Sequence, residues 1–398
     1  MGIRVAITDL KPGMYIVDLE EKRGEDASIF SVEGYMLSEE EIPRLLQQGF
    51  TTAFVDPVRS RLLGPDPEPG RTLHEFDLLS PDDASPARAT AYHDEYEHAQ
   101  SLQNESNDIA ELITTAVLSE ADLPLPLIRS FLSGIVDSVT RNESVLLSLA
   151  KLNKLDDSIC THGLNVCILA VALGRQMRIK SQYIHDLALA GFLHDIGKFF
   201  VDKSVLDFRG KLSAERLREA QAHAARGHDF LKAHPVPQIV LDGALEHHER
   251  YGGTGYPGRK AGSAISFTGR LLAVADVYDA LSSKRSYRNP LSPAQALSIM
   301  YSERQDYSPG FTETLISAVG VYPPGSLVSL SNHHLGVVIE SNEAEPLRPK
   351  VVLLADGRGI RVRPKVANLH TMRTISITGL AMRAPANVDL EKAIRSAL

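Results

Sequence analysis

Apolar residues recur at three- and four-residue steps across residues 122–320, which is the spacing of helices that bury one face. The clearest stripe contains Ile159, Val166, Leu169 and Leu173. This pattern predicts a mainly α-helical bundle as the largest part of the chain. The polar residues inside or beside the stripes share one property, a side chain that can bind a metal ion. They are His162, His194, Asp195, His247, His248 and Asp276.

The chain on either side of the bundle shows other patterns. A capping-box pattern at Ser38 and Glu41, between strand-like runs, predicts a small α+β unit in which the helix ends at Gly49. Frequent prolines after Asp56 predict a linker, and short apolar runs after Tyr322 predict strands. The predicted domains are a small α+β domain at 1–57 with a hypothetical regulatory role, a Pro-rich linker at 58–90, a connecting helix at 91–121, the helical bundle at 122–320, and a β-rich C-terminal appendage and tail at 321–398.

Composition narrows the classes of function. The chain has 398 residues, of which 43% are hydrophobic and 23% charged, as in a soluble globular protein of two or three domains. A net charge of −8 argues against a nucleic-acid polymer or an anionic membrane as partner. No apolar run reaches the roughly 18 residues of a membrane span. Cys160 and Cys167 lack CxxC spacing, so we expect a reduced, cytoplasmic protein.

Histidines are concentrated within the predicted bundle. Imidazole and carboxylate groups together suit borderline and hard divalent metal ions. Burying many of them is costly unless a cation compensates them, so the cluster predicts a metal site with room for two ions. Two ions suit in-line attack on a phosphate. Eight of the 14 histidines lie in this region, at positions 162, 185, 194, 223, 228, 234, 247 and 248.

Some of these residues have other interpretations. A single buried histidine is usually bonded to a backbone carbonyl, and His162 taken alone would be interpreted in that way. Asp279 lies one turn after Asp276 and is either a rival ligand or a residue that orients one. Several histidines lie off the stripes or in a turn and are predicted to be solvated or to stand behind the ligands. They are His185, His228, His234, His333 and His334.

The order of residues in the HDIGK segment suggests how they could bind metal ions and act on a phosphate. Because His194 and Asp195 are adjacent, one carboxylate can bridge two ions while its neighbour binds one of them. Lys198 follows one turn later, where an ammonium group could orient an attacking hydroxide or neutralise phosphate charge. The alternative is a surface lysine at the end of a helix.

These motifs and their order resemble the HD-GYP family, a bacterial branch of the HD metal-dependent phosphohydrolases. The matching segments are HDIGK, AHAARG, HHERYGGTGYPGR, VADVYDAL and KRSYR. The resemblance implies an enzyme that hydrolyses cyclic di-GMP to pGpG or GMP with a hydroxide that bridges two metal ions. Fe or Mn is favoured as the metal, with Zn or Ni as alternatives. Residues 1–57 resemble the small domain of unknown function that often precedes this catalytic domain.

The resemblance also assigns roles to single residues. Lys198 and Asp195 would act in catalysis, with Lys198 beside the reacting phosphate. The first ion would be bound by His162, His194, Asp195 and Asp276. The second ion would be bound by the bridging Asp195 and by His223, His247 and His248. The substrate would contact Arg285, Arg288 and the loop residues Gly255, Tyr256 and Pro257.

Two positions depart from the family pattern. Ser158 replaces a glutamate that helps some members to hold a third ion, which predicts a two-ion site. Gly252 replaces the usual aspartate before the loop and could change how that loop is ordered. The alternative functions are a cyclic di-GMP receptor with slow catalysis, a phosphodiesterase for another nucleotide such as cyclic GMP-AMP or pGpG, and an interaction protein that binds a partner such as a cyclase domain.

Overall fold

The chain forms two compact units, Met1–Leu73 and His74–Leu398. The structure is a computed structural model. Most of the predicted linker at 58–90, and both Arg285 and Arg288, lie outside the residues that it describes. The described residues are 3–10, 15–21, 34–35, 42–43, 46, 50–56, 90–152, 159–208, 210, 212–283, 291–342, 345–381, 384 and 388–398.

The first unit contains a four-stranded antiparallel sheet with the order β1-β4-β2-β3. Three of its strands include the apolar runs identified in the sequence. Of the predicted helix between Ser38 and Gly49, only residues 42, 43 and 46 are described, and they are helical. The strands are β1 Ile3–Ala6, β2 Tyr15–Glu21, β3 Gly34–Tyr35 and β4 Phe50–Asp56.

The second unit is a helical bundle followed by a sheet, as the apolar patterns predict. Polar side chains cap the N-termini of several helices, where the first backbone N–H groups have no partner within the helix. Ser266 accepts a hydrogen bond from Gly269 N, and Ser292 forms a capping box with Gln295. The helices of the bundle are α1 Tyr92–Leu118, α2 Leu125–Leu152, α3 Ile159–Gln176, α4 Ser181–Leu193, α5 Lys203–Leu206, α6 Ala214–Gln221, α7 His223–Lys232, α8 Gln238–Glu246, α9 Phe267–Ser282, α10 Pro293–Ser302 and α11 Phe311–Val319.

Helices α3 and α4 form the centre of the bundle. Every residue from His162 to Gly174 in α3 is buried, and so is every residue from Leu187 to Leu193 in α4. The sequence predicted one buried stripe on α3, whereas the helix is surrounded by others on all sides. Polar side chains on these two helices are therefore enclosed by protein.

The C-terminal sheet is antiparallel, with the order β8-β7-β6-β5-β9. Its residues Val337, Val352 and Leu354 belong to the same hydrophobic core as the helices, so the sheet is packed firmly on the bundle. The tail includes a helix, α12 at Leu390–Ala397, which the sequence pattern did not predict. The strands are β5 Leu327–Leu330, β6 Leu335–Glu340, β7 Lys350–Ala355, β8 Arg361–Asn368 and β9 Ile377–Leu380.

Among the helices that the structure describes, none has both the length and the hydropathy needed to span a membrane.

Candidate metal centre

The predicted ligands converge at the ends of helices in the middle of the bundle. His194 and His247 cap the C-termini of α4 and α8, and His223 begins α7. His162 and Asp276 project from the buried helices α3 and α9. Helix ends leave backbone carbonyls without intrahelical partners, and the histidines at these ends use them.

Backbone carbonyls fix the orientation of three histidine rings. The Nδ1–H of His194 donates to Gly191 O (2.7 Å), that of His223 to Ala220 O (2.6 Å), and that of His247 to Gly243 O (3.0 Å). Because a carbonyl can only accept, each ring carries a proton on Nδ1, and in the neutral ring Nε2 then presents a lone pair. This is the tautomer that a metal ligand needs.

Asp195 lies between two groups of imidazoles, with one carboxylate oxygen toward each. Its Oδ2 is 3.5 Å from His162 Nε2 and 3.4 Å from His194 Nε2. Its Oδ1 is 3.3 Å from His223 Nε2 and 3.6 Å from His247 Nε2. Two sets of ligand atoms therefore share this one carboxylate. The sets are His162, His194 and Asp195, and then Asp195, His223, His247 and His248.

Two buried polar atoms in this centre lack a hydrogen-bond partner among the described residues. They are His194 Nε2 and Asp195 Oδ1, on residues that are 0% and 1% exposed. A buried unpaired acceptor is costly. A cation at each ligand set would compensate both atoms, so the residues present fit divalent metal ions.

Asp276 faces the same space from α9. Its Oδ1 is 3.0 Å from His162 Nε2, and its Oδ2 is 3.6 Å from His248 Nδ1. The structure thus brings together all seven residues that the sequence analysis named as ligands.

Asp279 stands behind His162. Its Oδ2 is 2.7 Å from His162 Nδ1, on the side of the ring away from Asp276. Its Oδ1 accepts from Lys151 Nζ at 2.7 Å, Asn165 Nδ2 at 3.1 Å and Ser283 Oγ at 2.6 Å. A carboxylate with this many protein donors has little capacity left for a cation. The geometry favours the interpretation of Asp279 as a residue that orients His162.

Sequence reasoning missed the residues that support Asp279. Lys151 is at the end of α2 and is separated from Asp279 by 128 positions, and Asn165 lies one turn after His162. No local spacing rule links a lysine to so distant a carboxylate. The only available signal was the spacing between Asp276 and Asp279, which places both on one side of α9.

Neighbouring charges set the protonation of the centre. Burial raises the pKa of the Asp195 carboxyl group, but Lys198, His194 and His223 outweigh it and hold this pKa well below the usual range. Burial acts in the same direction on Asp276, where His162, His248 and His194 outweigh it and hold the pKa well below the usual range. Burial also lowers the pKa of His247 and His248. Ionised carboxylates and neutral imidazoles result, which are the forms that bind metal ions.

His162 differs from the other histidines. Burial lowers its pKa, but the hydrogen bonds that it donates to Asp276 and Asp279 outweigh this effect and raise the pKa to about 9. The imidazole therefore holds two protons at neutral pH, one facing each carboxylate. A cation at Nε2 would displace one of them, so metal binding here releases a proton.

Lys198 lies beside the shared carboxylate. It belongs to a 3-10 helix, Ile196–Phe200, which brings residues three apart into line, and its Nζ bonds to Asp195 Oδ2. A Cβ on Gly197 would lie 1.9 Å from His223 O, so only glycine lets this turn pack against α7. Lys198 is half-buried and reaches the centre.

The loop with Gly255, Tyr256 and Pro257 lies against the second ligand set. The Tyr256 ring stacks on the His248 imidazole, with centroids 4.6 Å apart and planes at 29°. Gly252, the second departure from the family pattern, pairs with Ala261 in an isolated bridge. The loop is therefore closed without an aspartate at position 252.

The remaining predicted residues lie elsewhere. His185 and His333 are exposed, and neither belongs to a ligand set. Ser158 lies outside the described residues, as do Arg285 and Arg288, so their roles stay predictions. His228, His234 and His334 are half-buried and bond to Asp229, Phe230 and Asn332 respectively.

Three known families match separate parts of the chain. An HD domain matches residues 141–309, and a domain of unknown function (DUF3391) matches residues 2–123. A KOW domain associated with the HD domain matches residues 327–381. The first match contains every proposed ligand, and the third covers the C-terminal sheet.

Individual proteins show the same relationship. A cyclic di-GMP phosphodiesterase of Pseudomonas aeruginosa is 31% identical over 361 residues, which span 89% of this chain and 86% of the relative. A 3'3'-cGAMP-specific phosphodiesterase of Vibrio cholerae is 39% identical over 141 residues, 35% of this chain and 30% of the relative. The solved structure of a protein from Bdellovibrio bacteriovorus that is described as an HDG"Y"P protein aligns over 79% of this chain and 98% of its own, with 15% identity and a TM-score of 0.42.

The first of these relatives extends over nearly the whole chain, and the HD domain match contains the His194-Asp195 pair together with the GYP loop. The chain therefore belongs to the HD-GYP family of metal-dependent cyclic dinucleotide phosphodiesterases.

Proposed function

We propose that the protein hydrolyses cyclic di-GMP to pGpG or GMP at a centre that holds two divalent metal ions. The observation behind this proposal is the position of Asp195, whose two oxygens face two separate groups of histidines. A carboxylate shared in this way is suited to two ions a few ångströms apart. Such ions supply an activated water at neutral pH and neutralise charge on the phosphate.

The ligands divide into two groups in this proposal. His162, His194, Asp195 and Asp276 hold the first ion, and Asp195 with His223, His247 and His248 holds the second. The Nδ1 hydrogen bonds of three histidines keep their Nε2 atoms aimed at the ions. These bonds reduce the reorganisation needed when the ions bind.

Lys198 is the residue of this chain that we propose to act on the phosphate. Its ammonium group is anchored by Asp195, so its position is fixed relative to the metal centre. Negative charge grows on the phosphate oxygens during attack, and a fixed cation stabilises that charge. Arg285 and Arg288 are proposed to bind the substrate through its phosphate or guanine groups.

Cyclic di-GMP is proposed as the substrate because the relative that matches 89% of the chain bears that activity in its name. A cyclic GMP-AMP is the second candidate, since relatives named for it are up to 39% identical over matches of 127 to 142 residues. We also propose Fe or Mn as the metal, with Zn or Ni as alternatives, because mixed His and Asp ligands accept all four. The cytoplasmic location and a cyclase-domain partner stay predictions.

A metal-resolved assay tests this function. The protein is purified anaerobically, its bound metals are measured, and cyclic di-GMP, 3'3'-cGAMP and pGpG are each incubated with the Fe, Mn, Zn and Ni forms. We expect fastest turnover of cyclic di-GMP, and no turnover by Asp195→Ala. Binding of cyclic di-GMP without product in all four forms would instead identify a receptor, and preferred turnover of 3'3'-cGAMP would change the substrate.

A further inference from the structure

Two buried carboxylates fasten the loop that follows His248. Glu246 and Glu249 are 3% and 2% exposed and lie one turn apart at the end of α8. Glu249 Oε1 accepts a hydrogen bond from the backbone N–H of Gly258 (2.6 Å), and its Oε2 accepts one from Lys260 (3.0 Å). These donors lie nine and eleven residues further along the chain, so this one side chain closes the loop at its base.

Glu246 ties the same loop to the next helix. Its Oε2 accepts from the backbone N–H of Ser266 (2.6 Å), the N-cap of α9, and its Oε1 bonds to Lys260 Nζ. Lys260 is therefore held twice, by its backbone at Glu249 and by its ammonium group at Glu246. Buried carboxylates are seldom found without such partners. The partners here all belong to the loop or to Ser266, where the chain enters α9.

The closed loop packs directly against the proposed metal centre. A Cβ on Gly255 would lie 2.4 Å from both Arg250 N and Glu249 Cα, so glycine alone allows this approach of two backbone segments. The next residue, Tyr256, donates its N–H to His248 O (3.2 Å) and stacks its ring on the His248 imidazole. The loop thus places an aromatic ring in contact with a proposed ligand.

His248 depends on this stack more than the other histidines depend on theirs. The rings of His194, His223 and His247 are each held by a backbone carbonyl. Among the described residues, no carbonyl holds the His248 ring, whose Nδ1 is 3.6 Å from Asp276. Its side chain is 18% exposed. The rings of His247 and His223 lie 4.1 and 5.0 Å from it, centroid to centroid, and both belong to its own ligand set. The stacked Tyr256 ring is the aromatic contact that comes from outside that set.

We propose that Glu249 is a positioning residue for the second metal ion. By closing the loop, it holds Tyr256 against His248 and so keeps that imidazole oriented toward the ion. The inference rests on the proposed function, because it takes His248 as a ligand. It gives the GYP tripeptide a role in ordering the metal site, beside the contact with substrate that the family resemblance implies.

Manganese binding tests the proposal without any substrate. The number of bound Mn²⁺ ions and the two dissociation constants are measured for the full chain and for Glu249→Ala, Glu249→Gln and Tyr256→Ala. We expect the wild-type protein to bind two ions. Glu249→Ala and Tyr256→Ala should bind the first ion normally and the second about 10- to 100-fold more weakly, the usual range for residues that orient a ligand. Glu249→Gln should fall in between, because its amide oxygen still accepts one bond.

Glu95→Gln is the matched control. Glu95 is also 2% exposed, but it pairs with Arg141 at 2.6 Å, far from the loop in the sequence. Its substitution should lower the melting temperature and leave both Mn²⁺ constants unchanged. Tyr256→Phe keeps the ring and should bind both ions like the wild type.

Wild-type affinity for the second ion in Glu249→Ala would overturn the proposal. If that variant does not fold, unchanged affinity in Glu249→Gln would overturn it in the same way. Uptake of one ion or none by the wild-type protein would refute the two-ion function itself, which distinguishes that failure from a failure of the role assigned to Glu249.

Discussion

The centre consists of residues whose neighbours fix both their orientation and their charge. His162 lies between Asp276 and Asp279, and Asp195 lies between two histidine groups and Lys198. In each case one partner faces the proposed ion and another holds the side chain from behind. This division between binding and supporting partners allows each role to be tested by a single substitution.

Substituting Lys198 should affect the chemical step while the ions stay bound. Lys198→Ala removes the cation that we propose to stabilise charge on the phosphate, so kcat should fall by about 100- to 1000-fold. Bound metal, measured by mass spectrometry of the purified protein, should stay at the wild-type level. Lys203→Ala, at an exposed lysine in the next helix, serves as control and should leave kcat unchanged. Loss of metal together with activity would assign Lys198 a structural role.

Substituting Asp279 should weaken the first ion without abolishing it. Asp279→Asn keeps the shape of the side chain but removes the charge that orients His162 and pairs with Lys151. We expect about 10- to 100-fold weaker binding of one Mn²⁺ ion, measured by equilibrium dialysis. Asp186→Asn, which alters a partly exposed ion pair with Arg129, should change neither ion. Complete loss of the first ion would identify Asp279 as a ligand instead.

The seven residues that we propose as ligands could be predicted to lie together, because their residue types are rare on apolar stripes and their motifs occur in the family's order. The supporting residues could not, because each acts through a contact between distant parts of the chain. Lys151 meets Asp279 across 128 positions, and Glu249 meets two backbone donors that no side-chain pattern marks. Such contacts depend on tertiary packing, which residue spacing does not encode.

At the scale of elements, α3 and α4 form the frame of the site. The spacing of apolar residues predicted both helices, but it underestimated how much of each is buried. A periodic apolar stripe predicts that only one face of a helix packs on the core. Conversely, the sequence analysis did not predict α12, although Asp389 caps it by accepting from Lys392 N and Ile394 is fully buried. The 3-10 helix after Asp195 was also missed, since three-residue and four-residue steps are indistinguishable over so few positions.

The burial of α4 predicts a large penalty for a cavity there. Leu187 is 0% exposed, so Leu187→Ala should lower the free energy of unfolding by about 2–5 kcal/mol. Chemical denaturation of the metal-loaded protein measures this change. Leu127→Ala, at a residue that is 54% exposed, is the comparison and should cost far less. Equal effects at the two positions would contradict the central placement of α4.

At the scale of the whole molecule, the catalytic unit is one structure whose metal centre and C-terminal sheet share a core. Residues of β6 and β7 pack with the bundle helices, and a Cβ on Gly325 would lie 2.9 Å from the Cβ of Lys151, whose ammonium group supports Asp279. Gly325 lies in the turn before β5, so the segment that leads into the C-terminal sheet contacts a residue that supports Asp279.

Removing the metal should therefore destabilise the whole unit. Without cations, His194 Nε2 and Asp195 Oδ1 are buried and have no hydrogen-bond partner among the described residues. Ions that bind only the folded state stabilise it by about 2.7 kcal/mol at 100 times their dissociation constant. We expect a chelator to lower the melting temperature measured by calorimetry, and Mn²⁺ to restore it. Asp195→Asn should show a much smaller response, and an equal response would place the stabilising ions elsewhere.

The sharing of Asp195 also constrains how this protein can change over generations. Both proposed ion positions use oxygens of one side chain, so a substitution there would remove them together. Stepwise loss of a single ion would instead pass through a ligand that serves one position, which is His162, His194 or Asp276 for the first ion and His223, His247 or His248 for the second. A lineage that kept nucleotide binding but gave up hydrolysis would therefore be expected to alter one of these six residues before Asp195.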